Sequence, residues 1–147
     1  MSVRVFLVAL AALFATMLPV SAESLDDARA KLDRLMDAYV EKDSTSVLRQ
    51  LQTDEFYQAE TTPGWPGVVK QLESVYGLGG DIHGYELNQT RPLGERLAVL
   101  RYLVAFDVTP LLAEFMIYRA TNEWTLMNFS FHFGTQATPT IKSWADQ

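Results

Sequence analysis

The sequence predicts an α+β fold, helices first and an antiparallel sheet second, on three observations. The stretch from Glu95 to Phe133 reads as three strands, ERLAVLRYLVAF, LLAEFMIYRA and EWTLMNFSFHF, dense in β-branched and aromatic residues and joined by turns at Thr109-Pro110 and Thr121-Asn122. Ahead of it, apolar residues recur at i, i+3, i+4 and i+7 from Leu25 to Val40 and again from Val68 to Tyr76, the period of helices that bury one face. Helices grouped before strands, rather than alternating with them, give the α+β order. No motif in the chain names a reaction or a ligand.

The first 22 residues read as a removable signal peptide. MSVR carries one charge, Val5 to Leu18 is apolar apart from Thr16, and the small residues Val20 and Ala22 precede a new N-terminus at Glu23. The apolar run is too short for the roughly 20 residues of a membrane-spanning helix. Residues 23–134 are then expected to form a single domain, with 135–147 a polar C-terminal tail. Removal of the leader leaves 125 residues (147 − 22), enough to bury a core. It also takes away Arg4, so 11 basic residues face 18 acidic ones. That acidic balance argues against nucleic acid and anionic membranes, which select basic patches. With no cysteine there is neither a disulfide framework nor a lipid-anchoring thiol beside the cleavage site. The expected product is periplasmic or secreted, with no membrane association after cleavage.

Each element has its own signals. Ser24 with Asp27 three residues on is close to a capping box, and opens a helix of about five turns ending near Lys42. Its charged residues, Asp26 to Asp37, form a solvated face. Asp43-Ser-Thr-Ser46 stops that helix and caps a short second one through Val47, Leu48 and Leu51, with Phe56 or Tyr57 as its furthest reach. Thr61-Thr-Pro-Gly64 is a turn, Pro66 suits the first turn of a third helix, and Gly77 with Gly79-Gly80 stops it. A first strand, about Asp81 to Thr90, precedes the other three.

This order of elements, with a last strand reading Glu123-Trp-Thr-Leu-Met-Asn-Phe-Ser-Phe131, resembles the nuclear-transport-factor-2-like superfamily, the cystatin-like α+β roll. The resemblance covers Leu25 to Phe133, and its motif is the W-x-hydrophobic pattern matched by Trp124 and Leu126. It implies N-terminal helices packed on a curved four-stranded antiparallel sheet. Members of the superfamily include isomerases, dehydratases, transport factors and exported proteins of unknown role, so the fold does not fix the function. Isomerase-like members place an acidic residue and a tyrosine in the pocket. Here Tyr102 is the tyrosine, within possible reach of Tyr39 and Tyr57, while the strand acids Asp107 and Glu114 fall on the other face. Only Glu60 or Asp81 is left to supply an inner acid, which weakens an isomerase reading.

The faces follow from the turns. A turn at Thr109-Pro110 pairs Phe106 with Ala113, and one at Thr121-Asn122 pairs Arg119 with Trp124. Strict alternation then sends Leu100, Tyr102, Val104, Phe115, Trp124 and Leu126 toward the helices, followed by Asn128, Ser130 and His132. A slip or a bulge would exchange the two lists. Tyr102, Asn128, Ser130 and His132 are therefore the candidate ligand-binding residues of a pocket between sheet and helices. His132 is the sharpest of them, as a base or donor beside a hydroxyl and an amide, and its bland alternative is a half-buried, hydrogen-bonded histidine near a strand end. His83 follows a turn and is read as solvated. Two histidines without ligand spacing imply no metal, and no phosphate loop, nucleophile elbow or cofactor motif is present. The cystatin-type inhibitor signature Gln-x-Val-x-Gly is missing from the first turn, which reads Asp107-Val-Thr-Pro110.

The expectation is an exported small binding or accessory protein that takes a small hydrophobic ligand. The alternative is a SnoaL-like or ketosteroid-isomerase-like enzyme acting on a small hydrophobic carbonyl compound. Alternation also leaves Met116, Met127, Phe129, Phe131 and Phe133 on the outer face. Such a patch predicts a homodimer through that face, with Arg101 and Glu114 as a self-complementary pair. Its rival is a tail that folds back and covers the patch with Ile141 and Trp144.

Overall fold

The computed structural model describes residues 21–57 and 64–145. The signal segment, apart from Ser21 and Ala22, and the candidate acid Glu60 lie outside the described residues. Helix α1 (Leu25–Val40) opens on a complete capping box. The Ser24 hydroxyl accepts from the Asp27 N–H at 3.1 Å, and the Asp27 carboxylate accepts from the Ser24 N–H at 3.0 Å. Helix α2 (Ser44–Thr53) is capped by Asp43, whose carboxylate accepts from the Ser46 N–H. A 3₁₀ turn (Glu55–Tyr57) follows, then α3 (Trp65–Gly79) with Pro66 in its first turn. Gly77 does not stop α3. The helix ends at Gly80, where a φ of +80° and the close approach of Asp107 both require glycine.

Four antiparallel strands follow in the order β1 (Ile82–Pro92), β2 (Leu97–Phe106), β3 (Leu111–Arg119) and β4 (Trp124–Phe133). The chain is thus α+β, helices before sheet, and the helices cover one sheet face in a single large apolar core. The β2–β3 pairing is Val104 with Leu111 and Tyr102 with Ala113, four residues away from the register expected of a turn at Thr109-Pro110. A shift by an even number preserves the faces, so Leu100, Tyr102, Val104 and Phe115 point inward as expected.

The last strand departs from expectation. Arg119 pairs with Trp124 and Ile117 with Leu126, but Met116 then pairs with Asn128, leaving Met127 as the extra residue of a bulge. Beyond it the faces exchange. Phe129, Phe131 and Phe133 oppose Phe115, Ala113 and Leu111 and pack against the core. Asn128, Ser130 and His132 oppose Met116, Glu114 and Leu112 on the outer face. Energetics explain the exchange. Burying an aromatic side chain gains about 1.5–3 kcal/mol, whereas burying an amide, a hydroxyl and an imidazole without partners costs a similar amount each.

The described part of the C-terminal segment, up to residue 145, is helical. After a 3₁₀ turn (Gly134–Gln136), α4 (Ala137–Ala145) lies on the outer sheet face, where Ala137 and Trp144 are buried with Leu112. Ile141 does not share that cover and is 42% exposed. Of the five residues of the expected outer patch, Met116 and Met127 stay outside the main core. The phenylalanines are turned inward, and Arg101 bonds Glu114 of its neighbouring strand at 2.7 Å.

Glu23, the expected first residue after cleavage, is tied into the fold by every polar group it has. Its N–H donates to the Asn122 carbonyl at 2.7 Å, and its carbonyl accepts from Arg119 at 3.1 Å. Its carboxylate takes the Trp124 N–H and the Lys31 ammonium, both at 2.8 Å.

Helix α1 is held by tyrosines. Tyr57 donates to the Lys31 carbonyl, Tyr85 to the Asp33 carbonyl and the Asp37 carboxylate, Tyr102 to the Asp33 carboxylate, and Tyr76 to the Tyr39 carbonyl. Burial raises all four phenol pKa values, that of Tyr76 to about 12, and the bonds to Asp37 and Asp33 raise those of Tyr85 and Tyr102 further. A phenol whose folded pKa is raised contributes stability that is complete below its unfolded value near 10 and is lost as pH climbs through the folded value. Denaturant titrations between about pH 8 and pH 12 should show stability level at first and then falling above about 10. Tyrosinate absorbance should rise together with unfolding. Ionisation of all tyrosines in a chain that stays folded would refute this anchoring.

Candidate functional site

The space between helices and sheet is a small apolar cavity of about 20 Å³. It is lined by Met36 of α1, Leu51 of α2, Trp65 of α3, Phe115 of β3, and Leu126 and Phe129 of β4, among others. That volume suffices for about one water molecule. Trp65 stacks on Phe129 with ring centroids 5.0 Å apart. Its indole N–H is buried and has no hydrogen-bond partner. Tyr39, another lining residue, donates its hydroxyl to the Leu72 carbonyl at 3.1 Å. Next to the cavity, between α3 and the end of β4, runs an open groove of about 260 Å³. Leu72, Leu111 and Phe131 line both spaces.

The four candidates from the sequence are not brought together. Tyr102 is inside the core at 0% exposure, but it does not line the cavity, and its hydroxyl donates to Asp33 at 2.9 Å. Asn128, Ser130 and His132 lie across the sheet from it, placed there by the Met127 bulge. Asn128 is exposed and uses its side-chain oxygen to accept the Phe129 N–H at 2.8 Å. Ser130 and His132 are half-buried beside Glu114 and Leu112. Tyr39 and Tyr57 also direct their hydroxyls elsewhere, to the Leu72 and Lys31 carbonyls.

Sequence reasoning missed the acid that does meet Tyr102. Asp33 was assigned to the solvated face of α1, yet it accepts from Tyr102 and pairs with Arg29 at 3.3 Å. Tyr85 joins this cluster, with its ring 6.0 Å from that of Tyr102. A tyrosine bonded to a carboxylate has the parts of an acid–base pair. Here the carboxylate is neutralised by a guanidinium, and the pair sits at the seam of helix and sheet, away from the cavity.

A second titratable pair lies at the surface. His83 Nε2 is 2.6 Å from Asp107 Oδ1, and both side chains are exposed. The Asp81 N–H, bonded to Asp107 Oδ2 at 2.9 Å, and then His83 hold the Asp107 carboxyl below its usual range. Without shielding from water, this pair has no enclosed position for a substrate. A wide groove beside Glu23 and Trp124 is polar, and its Glu23 and Lys31 are already paired. Among the described residues no group of three or more histidine, aspartate or glutamate side chains could hold a metal, and no helix is long and apolar enough to cross a membrane.

No family model, curated protein or solved structure matches the chain. Any functional reading therefore rests on the residues and the geometry just described.

Proposed function

We propose that this chain is a small exported binding protein of the nuclear-transport-factor-2-like kind, without catalysis of its own, that holds a small hydrophobic ligand between helices and sheet. The observation that carries the reading is the wholly apolar cavity between helices and sheet, which shares Leu72, Leu111 and Phe131 with the open groove between α3 and β4. Ligand sites are lined mostly by apolar and aromatic side chains. Room comes from side-chain movement, which is common on binding, and Met36 is the most adaptable part of the wall. The isomerase alternative needs a base at the cavity, and the acids and histidines of the described chain stand elsewhere.

Methyl hexyl ketone serves as the probe. It should bind saturably, one per chain, and shift the Trp65 indole N–H resonance in proton NMR. Exchange of its α-protons with deuterated buffer should run no faster than without protein. Catalysed exchange would establish the enzyme reading instead, and the lack of any saturable binding would end the binding one.

A further inference from the structure

Glu23 closes one end of the sheet. Its N–H donates to the Asn122 carbonyl of the β3–β4 turn at 2.7 Å, and its carboxylate accepts the Trp124 N–H at the head of β4. Arg119, which donates to the Glu23 carbonyl, also donates to the Glu95 carbonyl of the β1–β2 turn at 3.0 Å. One residue thus ties the start of α1 to both turns at this end. Ser24 follows as the helix cap and Leu25 begins the helix, while Ser21 and Ala22 ahead of it are exposed.

The bond whose cleavage the sequence predicts, Ala22–Glu23, therefore has one free side and one engaged side. Extended peptides are held in binding clefts by hydrogen bonds to their main chain. Downstream of this bond the Glu23 N–H and carbonyl and the Ser24 N–H are all taken, the last by Asp27 at 3.0 Å. A peptidase would have to free Glu23 and unwind the first turn of α1 before it could bind the segment. The unfolded chain presents no such obstacle.

Hydrolysis also changes the charge at this point. Water adds its oxygen to the Ala22 carbonyl carbon, the C–N bond breaks, and the Glu23 nitrogen leaves as an amine that is largely protonated at neutral pH. That nitrogen already lies 2.7 Å from the Asn122 carbonyl oxygen, so a neutral donor becomes a charged one, roughly twice as strong. The groove around it is lined by Asp54, Glu55 and Glu123, with Glu23 and Lys31 paired to each other. A positive charge here meets a surplus of acids.

Resting on the export reading above, we propose that Ala22–Glu23 is cut before the chain folds, and that the ammonium so created is seated on the Asn122 carbonyl, locking this end of the sheet. Removal of the leader is then a step in building the fold, and folding in turn closes the cleavage site.

Order of addition tests the first half. The full chain is diluted from urea into detergent micelles, with signal peptidase present at dilution or added once near-ultraviolet circular dichroism shows the fold complete. Cleavage in the second arm has to wait for local opening and should be slower by roughly tenfold or more. Equal rates would overturn the order. Urea titrations test the second half. The chain starting at Glu23 is compared with the same chain acetylated on that nitrogen, which keeps the N–H and removes the charge. Acetylation should raise the unfolding constant about fivefold, and an extension by Ser21-Ala22 should act in the same direction. A change below about twofold on acetylation would overturn the lock. Intact mass of the exported product settles the cut itself, and a first residue other than Glu23 would remove both halves. Ketone binding bears on neither half, so its absence would end the ligand reading and leave this proposal standing.

Discussion

Trp124→Ala should lower the stability of the fold by about 3–5 kcal/mol, the range for truncating a large aromatic residue in a core. Trp124 begins β4 at 4% exposure, belongs to the main core, and has the Arg119 guanidinium 5.1 Å from its ring. Its backbone N–H, bonded to Glu23, survives the substitution, so the loss measures the side chain. The indole N–H of Trp124 is buried without a partner, a defect that Trp124→Phe removes. The phenylalanine variant should therefore lie much nearer to the unmodified protein than the alanine one. Urea titrations with an unchanged slope provide the comparison. A loss below about 1 kcal/mol for Trp124→Ala would mean that the indole is not part of the core.

Glu114→Ala should be the second large effect, at about 2–3 kcal/mol. Removing one member of a buried ion pair costs about 3–5 kcal/mol, and the discount reflects a Glu114 side chain that is 28% exposed. Arg101 is 6% exposed, lies between the sheet and the Trp144 ring of α4, and also donates to Gln89 at 2.6 Å. The substitution takes the Glu114 carboxylate away from a buried guanidinium. Replacing both members by apolar residues, Arg101→Met with Glu114→Leu, should recover most of the loss, because the remaining charge is then gone. If the double variant is as unstable as the single one, packing rather than charge explains the effect.

Most of the fold was legible because its signals are local. The Ser24–Asp27 box, the Asp43 cap, the apolar stripe of α1 and the strand composition each act over a few residues, and each holds. The inward set of β2 and β3 was legible even though the turn was placed wrongly, since the error was an even number of residues. The candidate site failed at a single point. Strict alternation carried Trp124 and Leu126 forward to Asn128, Ser130 and His132, whereas the structure changes phase at Met127. The signal was present in the letters: Trp124 and Leu126 share one parity, and Phe129, Phe131 and Phe133 share the other. Three aromatic residues outweigh three polar ones for the inward face, so one parity change should have been read as a bulge. The Asp33–Tyr102 bond was out of reach for a different reason. It joins residues 69 positions apart, and no local pattern marks which charge on a helix will be covered by the sheet.

The bulge also defines a genetic neighbourhood. An in-frame loss of the Met127 codon would remove the residue that allows β4 to change face. Keeping the pairing of Trp124 and Leu126 would then turn Asn128, Ser130 and His132 toward the helices, and keeping the three phenylalanines inside would drag Trp124 and Leu126 out. An amide, a hydroxyl and an imidazole thus stand one deletion away from the interior. A lineage carrying that deletion would have to refill the core elsewhere, but it would acquire in one event the polar lining that the present cavity lacks.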